Sequence, residues 1–213
     1  MRSLILWLFA LAAGFVCSLP VAAADIEQQR ALFLKVYPRV ERGDWSAVEV
    51  LSREDAQSLR DYVLWPDLRA TWYRATMHNA DHGEIEAFLE QHGTLRPARE
   101  LRYRYALHLA KADGLAAFLG IYQQFYQGLQ IAKLDCLALQ AEIQTGRQHR
   151  VANRAKILWT VGESQVDECD PVFAFLTTNN LLGPADYMRR FELAVKEREF
   201  SMAQWLGRAI DQK

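Results

Sequence analysis

The chain has 213 residues, of which 51% are hydrophobic and 24% charged, and its formal net charge is −1. That apolar content is enough to offset chain entropy, which excludes a disordered chain. The balanced charge excludes a nucleic-acid partner, whose phosphates call for a basic excess, and gives no attraction to an anionic membrane surface.

The first residues read as a targeting segment. Arg2 supplies the positive start, residues 4–16 are an uncharged apolar run, Pro20 interrupts it, and Ala22, Ala23 and Ala24 precede Asp25. This is the pattern of an export signal peptide over 1–24, cleaved after Ala24. A membrane anchor is the competing reading, but the apolar run is shorter than the ~20 residues that a bilayer span needs. A lipidated Cys17 is another, and Phe15-Val16 lacks the small residue wanted before such a cysteine. No later stretch is apolar enough to span a bilayer. The expectation is a mature chain of 25–213 in an oxidising compartment, most simply a bacterial periplasm, with no membrane contact after cleavage. Cys136 and Cys169 then remain. An even count in an exported chain favours a disulfide, with two buried thiols as the alternative.

From there the apolar spacing is helical. Phe33, Val36, Tyr37 and Val40 follow the i, i+3, i+4, i+7 rule, as do Leu115, Phe118, Leu119 and Tyr122. Leu134, Leu137, Ala138 and Ala141 form a third stripe, and Met202, Trp205, Leu206, Ala209 and Ile210 a fourth. Gly43, Gly83, Gly93, Gly114, Gly128, Gly146, Gly162 and Gly183 lie between or at the ends of these segments, since glycine accepts the left-handed geometry that ends a helix, and a helix is expected to end just before Gly83. Pro66, Pro97, Pro171 and Pro184 mark helix starts, where the proline's missing N–H costs nothing. Asp170 before Pro171 reads as a capping carboxylate. Pro38 should kink or split the first helix. The sum is roughly ten helices on short turns, stacked as αα-hairpins in a solenoid. A compact bundle is the alternative.

Candidate chemistry is sparse. His78 and His82 are four apart, as metal ligands on one helix face would be, but no third ligand stands at a useful spacing. Arg96, Arg99, Arg102 and Arg104 with Tyr103 and Tyr105 make a basic, aromatic helix suited to an anionic or sugar ligand. Its plain reading is amphipathic, with Leu101, Tyr105 and Leu109 inward and the arginines solvated or paired with Glu100. Trp45, Trp65, Trp72, Trp159 and Trp205 stack on sugars or, at helical spacing, anchor a core. No nucleophile elbow, P-loop or dinucleotide fingerprint is present, so the sequence assigns no catalytic residue, no metal and no cofactor.

One stretch is more specific. Leu134-Asp135-Cys136 leads through Ala141 and Gly146 to Ala155, Leu158-Trp159, Gly162 and Ser164, then to Cys169-Asp170-Pro171-Val172-Phe173. Upstream, residues 59–68 read Leu-Arg-Asp-Tyr-Val-Leu-Trp-Pro-Asp-Leu, with Phe88-Leu89 and Leu101-Arg102 beyond. This pattern resembles the N-terminal superhelical domain of the soluble lytic murein transglycosylases. It departs from the family's tyrosine- and proline-rich segment at Val63, Trp65 and Asp67. The resemblance implies a right-handed α-superhelix over 25–213 in the periplasm, with Cys136 and Cys169 inside one motif and bonded to each other.

It also implies a separate lysozyme-like domain, carrying a single acid/base glutamate, that cleaves the β-1,4 MurNAc–GlcNAc bond of peptidoglycan to a 1,6-anhydro product. The Gly-Leu-Met-Gln run of that domain is not among these residues, and Glu163-Ser164 lies inside the superhelical motif as a loop. Two functions are therefore expected. One is the non-catalytic scaffold of such an enzyme. The other is a stand-alone module that binds glycan strands or a protein. The last helix, near 199–211, is expected to expose an apolar flank, including Trp205 and Leu206, to a catalytic domain, a protein partner or a second copy.

Overall fold

The computed structural model describes residues 21–211 except 112 and 113. The expected signal segment lies outside them up to residue 20, and its expected cleavage point falls inside the first helix. Among the described residues the chain is all-α, with no strand. It divides after Thr76 into two compact units.

The first unit holds α1 (Val21–Val40), α2 (Ser46–Glu49), α3 (Arg53–Arg60) and α4 (Trp65–Thr76). The α1 stripe is buried as its spacing predicts: Phe33, Val36 and Val40 pack with Val48, Leu59, Tyr62 and Leu68. Each such side chain contributes about 1.5–3 kcal/mol on burial. Trp45, Trp65 and Trp72 flank this core, and the Arg69 guanidinium lies over the Trp45 and Trp72 rings at 5.3 and 5.2 Å. Ser52 caps α3 by accepting from the Asp55 N–H. Pro38 does not split α1. It sits in the last turn, where it forfeits one hydrogen bond to the Leu34 carbonyl shortly before the helix ends.

The second unit holds α5 (His82–His92), α6 (Arg96–Lys111), α7 (Leu115–Phe125), α8 (Ala132–Gln144), α9 (Val151–Trp159), α10 (Asp170–Thr178), α11 (Pro184–Lys196) and α12 (Phe200–Asp211). Each helix from α5 to α10 packs mainly on its chain neighbours, and α11 packs broadly on α12. That is the stacked-hairpin arrangement expected of short turns. Leu101, Tyr105, Leu109, Phe118, Tyr122 and Leu134 fill the core between α6, α7 and α8. A second core joins α8 to α12 through Leu139, Trp159, Val172, Leu176, Tyr187 and Leu206.

Three local expectations are corrected. Gly83 does not end a helix; it lies in the first turn of α5, and its N–H donates to the capping Asp81 carboxylate at 2.7 Å. Asp170 is not a cap but the first residue of α10, which grows directly out of a 3-10 turn at Asp167–Cys169. Arg102 is not solvated. It is buried, stacks on Phe125 at 3.9 Å and donates to the Gly93 carbonyl, while Arg96 pairs with Glu100 as expected.

Candidate functional site

The helices α7, α8 and α9 and the loop at 160–165 enclose a cleft of about 500 Å³. Tyr122 reaches it from α7. Asp135 and Leu139, one turn apart, face it from α8, and Arg154, Ile157 and Leu158 face it from α9. Thr160, Val161 and Gln165 close it, and Gln130 stands at its edge on the α7–α8 turn.

A chain of polar contacts fixes these groups. The Tyr122 hydroxyl donates to Asp135 Oδ1 at 2.6 Å. Burial, together with the Asp135 carboxylate, pushes the Tyr122 phenol up to about 12 from 10.0. Arg154 Nη1 donates to both oxygens of Glu142, at 2.7 and 2.9 Å, and the Glu142 side chain is only 10% exposed. Gln165 Nε2 donates to the Leu158 carbonyl. A phenol held on a carboxylate and a guanidinium held on a second carboxylate form a preorganised set of donors and acceptors. Its two carboxylates are turned to Tyr122 and Arg154 rather than to each other.

A disulfide ties α8, one of the cleft's helices, to the 3-10 turn before α10. Cys136, next to Asp135, is bonded to Cys169, with Cα atoms 4.9 Å apart and both residues fully buried. Gln140 on α8 donates to the Glu168 carbonyl, and Lys133 pairs with the Glu168 carboxylate at 2.6 Å. The 3-10 turn before α10 is thereby tied to α8 at several points.

The remaining motif residues have clear physical tasks. Trp159 is buried against Tyr187, with ring centroids 5.1 Å apart. Arg190 of α11 lies over Trp159 at 4.6 Å and over Phe173 at 5.7 Å. Its burial pushes that guanidinium below its ordinary value, and its Nε has no hydrogen-bond partner among the described residues. Gly162 is required by close approach: a Cβ there would stand 2.6 Å from the Leu193 carbonyl oxygen and 2.8 Å from Glu197 Cγ.

The other sequence candidates do not converge. His78 is exposed in the turn before α5, whereas His82 packs edge-on against Tyr105 and His108 at 5.5 and 5.9 Å. Among the described residues no histidine, cysteine or acidic cluster is arranged to hold a metal ion. Glu163 is exposed on its loop. Trp205 departs from the core role of the other tryptophans and is 50% exposed. Sequence reasoning did not find Tyr122, Asp135 and Arg154 as a group, because four separate segments bring the cleft together and no local motif marks it.

No protein-family model matches the chain. Soluble lytic murein transglycosylase of Escherichia coli (strain K12) is 28% identical over 193 residues, covering 87% of this chain and 28% of the relative. The Salmonella typhimurium protein of the same name is 27% identical over 197 residues, covering 89% of this chain and 29% of the relative. Among solved structures, the inactive mutant of the lytic transglycosylase Slt from Pseudomonas aeruginosa matches with a TM-score of 0.71 and 26% identity. That match covers 84% of this chain and 28% of the other. The 70-kDa soluble lytic transglycosylase of Escherichia coli matches in fold with a TM-score of 0.72 at 23% identity, covering 87% of this chain and 29% of that one. In sequence and fold, the chain is thus similar over most of its length to one part of the soluble lytic murein transglycosylases, a part spanning under a third of those proteins.

Proposed function

We propose that this chain is the non-catalytic superhelical scaffold portion of a periplasmic soluble lytic murein transglycosylase. The observation that carries this reading is the similarity to enzymes of that name over 87% of the chain. In the whole enzyme the reaction is cleavage of the MurNAc–GlcNAc β-1,4 bond of peptidoglycan to a 1,6-anhydro product.

The described helices contribute rigidity rather than chemistry. General acid catalysis needs a carboxyl group shielded enough to hold its proton near neutral pH. Glu163, the residue whose local sequence best resembles a catalytic glutamate, stands exposed. Asp135 and Glu142 are already committed to Tyr122 and Arg154. The disulfide and the packed α8–α12 core fit a body that holds its shape while another part of the enzyme works on the glycan.

Two measurements test this. Purified chain incubated with sacculi is expected to release no anhydro-muropeptides by mass spectrometry; release above a boiled control overturns the non-catalytic reading. A chimera of the Escherichia coli enzyme, with its matching segment replaced by this chain, is expected to keep sacculus cleavage. A folded chimera without activity overturns the scaffold reading.

A further inference from the structure

We propose that a groove between α5 and α7 docks a basic amphipathic helix of a protein partner. The groove has a volume of about 450 Å³ and shares no lining residue with the cleft at α7, α8 and α9. Glu86, Leu89 and Glu90 line it from α5, at positions that share one helix face. Ala117, Gly120, Ile121 and Gln124 line it from α7, again with helical spacing. α6 packs on both helices and brings Arg102 and Tyr105 between them.

Charge decides what can enter. Three charged groups line the groove: Glu86, Glu90 and Arg102. Arg102 is turned inward. It is only 8% exposed, stacks on Phe125 and donates to the Gly93 carbonyl. Among the described residues no ion pair joins it to either glutamate. Glu86 and Glu90 are exposed, and Glu86 Oε1 accepts from the Tyr105 hydroxyl at 3.1 Å. Burial, together with Glu86, holds that phenol above its ordinary range, so it stays a donor. Two carboxylates against one guanidinium leave the groove net negative, and the carboxylates are the charges that face out. A cationic partner gains from this and an anionic one is repelled. Glu86 and Glu90 stand one helical turn apart, which matches two basic residues one turn apart on a partner helix.

Gly120 supplies an independent reason. It stands inside α7, where glycine weakens a helix relative to alanine. Its backbone is not left-handed, and a Cβ there would meet no atom within 4 Å. Among the described residues, then, nothing calls for a glycine at this position. With Ala117 almost one turn before it, Gly120 leaves a bare strip of α7 over which a second helix can come close. Leu89 and Ile121 border the groove with apolar surface for the apolar face of that helix.

The probe is an acetylated, amidated peptide of repeated Lys-Leu-Ala-Ala units, titrated into the whole chain by calorimetry at low and high salt, with amide shifts followed by NMR. The expected result is saturable binding that weakens with salt, with shifts centred on residues 86–125. Glu86→Gln with Glu90→Gln, which retains an acceptor for Tyr105, weakens it about tenfold or more. Gly120→Leu weakens it to a similar degree while the melting temperature holds or rises, because leucine is the better helix former and its Cβ meets no atom. Val63→Glu, at a 78% exposed position in the first unit, leaves binding unchanged. A peptide of Glu-Leu-Ala-Ala units does not bind.

Absence of saturable binding overturns the proposal, as does equal binding by the acidic peptide or by the double glutamine variant. A folded Gly120→Leu chain that binds like wild type overturns it too. A wild-type dimer in sedimentation that Gly120→Leu abolishes would make a second copy the occupant and overturn the partner class.

Discussion

Both carboxylate oxygens of Glu142 accept from a single nitrogen of Arg154, at 2.7 and 2.9 Å. The two residues are on adjacent helices, so the pair sets the spacing of the cleft walls as well as its charge. Glu142 is the more deeply buried partner, which makes the two truncations unequal. Arg154→Met strands a nearly buried carboxylate and is expected to cost about 1–3 kcal/mol, discounted from the fully buried case because Arg154 is partly exposed. Glu142→Gln keeps an acceptor and frees a partly solvated cation, so it is expected to cost less. Urea denaturation of the two variants checks the order; an equal or reversed order removes the claim that Glu142 is the buried anchor.

Much of this architecture was legible in the sequence, and the parts that were not share a cause. The stripes at Phe33–Val36–Val40 and Phe118–Leu119–Tyr122 were readable because burial on one helix face leaves a periodic trace. Arg102 and Arg190 were not, because a charged residue reads as solvated. A guanidinium can be buried when aromatic rings cover its flat faces, as Phe125 and Trp159 do here. The cleft was invisible for a different reason: Tyr122, Asp135, Arg154 and Gln165 meet only after three helices and a loop have packed. Pro38 does not split α1 because it stands in the last turn, where only two residues follow it before the helix ends at Val40.

The Tyr122 phenol gives a pH dependence of definite sign. Its value rises from 10.0 when exposed to about 12 in the fold, chiefly through burial and then through Asp135. The folded state therefore holds this proton more tightly than the unfolded state. Its contribution is complete below pH 10 and is lost as pH climbs toward 12, at up to about 1.4 kcal/mol per unit. Tyr122→Phe is expected to flatten that part of the stability curve relative to wild type. Denaturation at several alkaline pH values checks it, and parallel curves for the two proteins would refute it. Tyr105 and Tyr126 are also raised, so only the difference between variant and wild type isolates Tyr122.

The bond between Cys136 and Cys169 closes a separation of 33 residues. In the chain-entropy model a loop of that length stabilises by about 3–4 kcal/mol. Cys136→Ala with Cys169→Ala is expected to lose an amount of that order. Both sulfurs belong to fully buried residues, so a reductant should act slowly on the native chain and quickly under denaturant. Thiol counting under denaturing, non-reducing conditions is the direct measurement. Reactive thiols at both positions would refute the pairing.

The last helix separates two residues that its periodicity put on one flank. Leu206 is fully buried in the α8–α12 core, whereas Trp205 is 50% exposed and Phe200 69% exposed. The expectation that Trp205 and Leu206 share an open face is therefore half wrong. Consecutive residues on a helix point about 100° apart, and α12 turns Leu206, with Ala203, toward α11. The apolar surface that α12 does leave open runs through Phe200 and Trp205. Trp205→Glu is expected to leave the unfolding free energy within about 1 kcal/mol of wild type while lowering the binding of a hydrophobic probe dye. Leu206→Ala is expected to cost about 2–5 kcal/mol through the cavity it opens. Leu206→Lys would bury a charge and lose the unit altogether, so it cannot serve as a surface variant. Thermal denaturation of the two single variants decides the matter: a Trp205→Glu protein destabilised as much as Leu206→Ala would mean that Trp205, too, belongs to the core.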